Sequence, residues 1–178
     1  LFSDVDGHEY FKEREEGFKN ELNSLTKEEL ENSDDAIRIL LVTKHKIKKI
    51  EIGEYYQIDK GEIDINVRHD NRFVAYLDRE EDSSPVIKKG RRIEIHLPFN
   101  VDKHLLKIRP SSFTGNFPRA DVSNEIIFTF DFFSDIDTPE ESKSRIEEEI
   151  NLVKKYVDWL NRDIESFNNK LEENFDIL

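Results

Sequence analysis

The side chains of this chain that could do chemistry are few in kind and scattered in place. There is no Cys, which removes thiolate nucleophiles, disulfide frameworks and thiolate-held zinc or iron-sulfur centres. The five His are His8, His45, His69, His96 and His104. None forms an H-E-x-x-H or other helix-spaced metal pair. Asp4, Asp6 and His8 make a D-x-D-x-H run with the hard donors of a divalent-cation site. The stronger reading is that Asp4 or Asp6 caps the first helix. Asp131, Asp135 and Asp137 form a second acidic loop, without the glycine and distant Glu of an EF-hand, and read as a solvated turn. No metal site is assigned and no cofactor is implied.

Glu62, Asp64 and Asn66 line one face of a strand pattern, but no Lys follows to complete the acid, acid and lysine set of a metal-dependent nuclease. Phosphate-cradling, dinucleotide-binding and nucleophile-elbow glycine motifs are absent, and six glycines leave little material for them. The stretch Ile108 to Thr114, with its Arg109-Pro110-Ser111-Ser112 centre, is the most singular of the chain. Arg109 there reads first as a buried ion-pair anchor that orders a loop. Its second reading is an anion site formed with Arg119 and the neighbouring hydroxyls. Of the histidines, His96 is the one to watch, because it falls on the polar face of a strand between Ile95 and Leu97. Arg109, Arg119 and His96 are thus the candidate ligand-binding residues.

A chain of 178 residues suits one domain and can bury a core. Thirteen Phe, five Tyr and one Trp supply aromatic volume despite 38% charged residues, so global disorder is disfavoured. The formal charge of -13 repels phosphate backbones, so no direct nucleic-acid binding is expected. Two local exceptions to that average are Lys44 to Lys49 and the group Lys88, Lys89, Arg91 and Arg92. No apolar run spans a bilayer and no signal peptide opens the chain, so no membrane is expected and the reading is cytoplasmic. The chain starts at Leu1 and holds no Met, which reads as part of a longer protein.

The elements that must position these residues follow from periodicity. Phe11, Phe18, Leu22 and Leu25 predict a helix over 8–25. Thr26 with Glu29, and Ser33 before Ala36 to Leu41, signal further helical starts, making residues 1–45 mainly helical. From 46 to 133 the period changes to two, at Ile50 and Ile52, then Ile63, Ile65 and Val67, then Ile93, Ile95 and Leu97. A turn is expected at Asp59 to Gly61, Glu80 to Pro85 and Lys88 to Gly90 punctuate the approach to the third strand, and 72–77 fit a strand or a packed loop. Asn100 to Pro118 reads as an ordered, packed connection. Ala120 to Val122 and Ile126 to Phe133 read as a strand pair. The expected fold is α+β, a single domain whose mainly antiparallel sheet has four to six strands, with amino-terminal helices and one long carboxy-terminal amphipathic helix.

That last helix, over 138–173, carries a capping box at Thr138 and Glu141 with Pro139 between. Its apolar seam runs Ile146, Ile150, Val153, Val157, Leu160, Ile164, Phe167, Leu171, alternating steps of four and three. Leu152, Tyr156 and Trp159 widen the stripe, which favours burial within the domain over a two-stranded seam. Self-association is the competing expectation, and the same seam is the candidate interaction surface.

The run from Ile93 to Phe167, with its I-E-I-H-L-P-F, I-R-P-S-S-F-T, N-F-P-R-A-D-V and Y-V-D-W-L-N-R-D-I-E-S-F-N segments, resembles the amino-terminal region of uncharacterised bacterial proteins that carry a carboxy-terminal restriction-endonuclease-like domain. The resemblance implies an accessory or sensing module beside a nucleic-acid-cutting domain, in anti-phage defence. The expected function is therefore a non-catalytic interaction or regulatory module whose partner is another domain of the same polypeptide or, through the long helix, a second copy. Two alternatives stand: a ligand-sensing or enzymatic domain with an anion site near Arg109, and an acidic scaffold or inhibitor of a basic partner.

Overall fold

A computed structural model describes residues 1–25, 36–68, 70–73 and 84–176. The expected caps at Thr26, Glu29 and Ser33, together with His69 and 74–77, lie outside them. The fold is α+β: three α-helices, the last of them long and carboxy-terminal, and an antiparallel four-stranded sheet among the described residues. The chain forms two compact units, Leu1–Ile52 with Phe99–Arg119 and Asn151–Leu178, and Gly53–Pro98 with Ala120–Ile150.

In the first unit, β1 (Val5–Asp6) pairs in parallel with β4 (Ile108–Arg109). Helix α1 (Gly7–Ser24) starts where the Asp6 carboxylate accepts the backbone N–H groups of His8 and Glu9, at 3.0 and 3.3 Å. Asp6, one of the two expected caps, thus satisfies donors the helix leaves open. Gly7 is required there, because a Cβ would stand 2.3 Å from the Arg109 carbonyl oxygen. Helix α2 (Ala36–His45) follows. The long helix α3 (Pro139–Asp176) belongs to this unit from Asn151 onward.

Ile50 and Ile52 do not form the expected strand. Their segment is extended, and among the described residues it makes one ladder contact, Ile52 with Phe99. Its backbone is satisfied by side chains of α3 instead. Asn161 accepts the Ile50 N–H at 2.8 Å and donates to the Ile50 carbonyl at 2.9 Å. Asn168 does the same for Ile47, at 3.0 and 2.9 Å. The spacing fits: seven helical residues rise about 10.5 Å, and three extended residues cover about 10 Å.

Along α3, Ile150, Val153, Val157, Leu160, Ile164, Phe167 and Leu171 are each at most 4% exposed. The seam is therefore core of the chain itself, and only Ile146, which is half-buried, stays partly open. The expectation of these residues as an interaction surface is corrected accordingly. Phe11 meets Phe167 with ring centroids 5.5 Å apart, and Phe2 stacks on Tyr156 at 5.3 Å. Phe2 holds φ at 57°, an unfavourable region for a bulky residue, and its complete burial offsets that strain.

The second unit holds the sheet, in the order β2-β3-β6-β5. Strand β2 (Tyr56–Asn66) pairs with β3 (Ile87–Pro98), β3 with β6 (Glu125–Phe132), and β6 with β5 (Asp121–Val122), all antiparallel. Asp59 to Gly61 is no turn between strands but a bulge inside β2. There Gly61 takes φ +78°, open to glycine without steric cost. Lys88 to Gly90 likewise lies within β3.

The register sorts the side chains into two faces. One carries Ile93, Ile95 and Leu97 opposite Phe130, Phe128 and Ile126, of which all but Ile93 are buried. The other carries His96, Glu94 and Arg92 at one end. At its other end is a small core of Ile65, Val67, Phe73 and Phe133. Asp137 closes that corner: it receives Arg72 at 2.9 Å, Arg145 at 3.3 Å and the Phe133 N–H at 2.8 Å. The Thr138–Glu141 capping box then opens α3, with Glu141 N–H to Thr138 Oγ1 at 3.2 Å and Thr138 N–H to Glu141 Oε2 at 3.0 Å.

Candidate functional site

The open side of β2 begins with its length. Eleven residues is about twice a typical strand, and among the described residues nothing pairs with its outer edge. The opposite edge, β5, is two residues long. On β2, Tyr56 is 44% exposed, and Ile58 and, just before the strand, Tyr55 are also exposed. An edge strand of this length offers a row of backbone donors and acceptors to another chain. The bulge and Lys60 interrupt that row in the way edges are commonly blunted. Tyr56 and Ile58 lie on one side of the interruption and Glu62 to Asn66 on the other.

The charges of the three long strands of the sheet alternate, while the two-residue β5 adds one acid, Asp121, beside β6. β6 carries Glu125 and Asp131 without a cation. β3 carries Lys88, Lys89, Arg91 and Arg92 against Glu94. β2 carries Asp59, Glu62 and Asp64 against Lys60. Cross-strand pairs follow: Arg92 with Asp131 at 2.7 Å, Arg91 Nε with Asp59 at 2.9 Å, and Lys89 with Asp64 at 3.1 Å. Lys88 pairs with Asp135, which with Asp131 and Asp137 accounts for the acidic loop seen in the sequence.

The basic group on β3 is thus matched by carboxylates. In the other strip, Lys44 and His45 share Glu21, at 2.5 and 2.7 Å, and Lys46 meets Glu172 at 2.6 Å. The β3 exception is answered within the chain, and the first half of the Lys44 to Lys49 strip is as well.

His96 lies on the polar face as expected, yet it is only 8% exposed. The Tyr56 ring stacks over it at 5.0 Å. Its Nδ1 stands 3.0 Å from Glu125 Oε2 and its Nε2 3.2 Å from Glu94 Oε2. Carboxylate oxygens only accept, so both contacts become hydrogen bonds together when each ring nitrogen carries a proton. The Tyr56 hydroxyl donates to Glu125 at 2.6 Å, and Lys60 meets Glu94 at 2.9 Å. This cluster fastens the edge strand to β3 and β6.

Lys60 and then His96 hold the Glu94 carboxyl below its ordinary value of 4.5. Tyr56 and then His96 do the same for Glu125, while Glu125 pushes the Tyr56 phenol above 10.0. Folded carboxyls with depressed values add stability above the ordinary value and lose it as pH falls through the depressed one. Glu125→Gln is therefore expected to flatten the acid limb of Tm against pH, between about pH 5 and about pH 3. Thermal melts across that range check it, and an unchanged slope would remove Glu125 from the acid response.

Arg109 and Arg119 belong to the first unit and His96 to the second. Arg109 pairs with Asp6 and lies 5.1 Å over the Phe113 ring, so the carboxylate that caps α1 also orders the loop. This is the ion-pair anchor, half-exposed rather than buried. Arg119 is exposed. The connection from Asn100 to Pro118 is tied to α3: the Ser111 N–H and hydroxyl both donate to Asp163, at 2.7 and 2.6 Å, and the Tyr156 hydroxyl lies 2.6 Å from the Thr114 carbonyl oxygen.

Among the described residues no cluster of His, Asp or Glu has the arrangement of a metal site. No helix among them is long and apolar enough to cross a membrane. Sequence reasoning missed the edge of β2; its signal was the run of acids Asp59, Glu62 and Asp64 opposite the four cations of β3. No family model, curated protein or solved structure matches this chain.

Proposed function

We propose that this chain is an interaction module that receives a basic, extended segment of a partner protein as an added strand on the outer edge of β2. The alternation of charge across the three long strands carries the reading. β6 is acidic, β3 basic and β2 acidic, so the next strand in the series is basic. Main-chain hydrogen bonds would supply affinity and the charges register. A net charge of -13 steers such a segment inward from a distance. A second copy is the poorer occupant, because joining two β2 edges sets acids against acids. Nucleic-acid-processing domains carry basic segments of the kind required, which agrees with the accessory role in phage defence that the resemblance implies.

The reading is tested with a synthetic peptide of β2's length in which Lys alternates with Val and Thr. Its affinity is expected to fall steeply with added salt. Glu62→Lys with Asp64→Lys should weaken binding about tenfold or more, the range of exposed charge reversals that act together. Both residues are exposed, but each reversal faces a cation in register, Arg91 or Lys89, so a thermal melt of the variant first establishes that the fold persists. Equal binding of an acidic peptide of the same pattern would overturn the reading.

A further inference from the structure

Beside β2 the second unit holds a groove of about 590 Å³, within the range of sites that accept a side chain or small ligand. Tyr55, Gln57 and Asp59 form its wall on the strand side, and Ser142 and Ile146 its wall on α3. Ile93 and Phe132 lie between them. Ile93, Phe132 and Ile146 are all half-buried, so this apolar surface is only partly covered. Arg145 rests over the Phe132 ring at 5.2 Å, and the Arg91–Asp59 pair and Lys143 set a charged rim.

The register connects this groove to the edge. Gln57 and Asp59 are partnered by Ile95 and Ile93, so they project to the apolar face. A strand added to β2 places every second side chain on that same face. Near Gln57 such a side chain meets the groove. Beyond the bulge, Glu62 and Asp64 share this face, being partnered by Arg91 and Lys89.

Resting on the docking of a basic strand at β2, we infer that the groove selects that strand by taking one of its aromatic or long aliphatic side chains. The recognised segment then has a large apolar residue near Gln57 and cations at other positions of equal parity, opposite Glu62 and Asp64. Backbone pairing anchors the segment and the groove fixes its register, the division of labour usual in strand addition.

The test is a series of Lys-rich peptides matching β2 in length, in which a single Phe is moved one position at a time. Affinity is expected to rise about tenfold or more at a groove-side position and to drop back one residue to either side. Ser142→Trp, which fills the groove from α3, should abolish that preference while the Phe-free peptide still protects β2 amides from exchange. The peptide series alone decides the matter if the variant does not fold. Affinity independent of Phe position, with β2 amides protected, overturns the groove and leaves the docking edge standing. No protection of β2 by any peptide overturns the docking reading and the groove with it.

Discussion

Leu160→Asp is expected to leave no cooperative folding transition, and Leu160→Ala to lower stability by about 2–5 kcal/mol. Leu160 is fully buried in the middle of the α3 seam, beside the nearly buried Val157. Truncation there leaves a cavity in a close-packed core. An isolated carboxylate in the same place costs more than the roughly 5–15 kcal/mol by which domains are stable. Were the seam an interface between copies, Leu160→Asp would instead yield a folded monomer. Circular dichroism melts with sedimentation of the soluble fraction distinguish the two results.

Asn161→Ala is expected to cost about 2–6 kcal/mol, because it strands two backbone groups at once at about 1–3 kcal/mol each. The Ile50 N–H and carbonyl both end on this side chain, and Ile50 is buried. Asn161→Asp separates the donor from the acceptor. One carboxylate oxygen can still accept the Ile50 N–H, but the other faces the Ile50 carbonyl oxygen, acceptor against acceptor. Protonation relieves that clash, so the introduced carboxyl is favoured in its neutral form when folded. Its deficit relative to the parent protein should shrink as pH falls from about 7 to about 5. A deficit constant with pH would mean that the Ile50 carbonyl finds another partner.

These two positions mark where the sequence was legible and where it was not. The start of α3 was readable because its cap is local: Thr138, Pro139 and Glu141 stand within four residues of one another. The seam's period was equally plain, but what covers it was not, since segments such as Ile47 to Ile50 are brought to α3 from more than a hundred residues away. Ile50 and Ile52 alternate as a strand does. Asn161 and Asn168 imitate a neighbouring strand from a helix, and no periodicity reports that.

The sheet hid its register for another reason. Ile58 and Ile63 are an odd number of residues apart, yet the register puts both on one face, because the bulge at Asp59 to Gly61 inserts a residue. A period-two reading therefore took only the stretch from Ile63 as strand and placed a turn in the middle of β2. His96 was assigned the right face, but its cover, Tyr56, lies forty residues earlier and meets it only through the β2–β3 pairing. The candidate edge became visible once β2, β3 and β6 stood side by side and their charges could be compared.

The most direct test of this account is backbone amide hydrogen exchange, resolved by residue, with and without the Lys-alternating peptide. Added protection concentrated on Tyr56 to Asn66, lost in the Glu62→Lys and Asp64→Lys variant, is the result expected of a strand docked on β2. Protection along α3 or at the loop around Arg109, with β2 amides exchanging at their free rate, would contradict it.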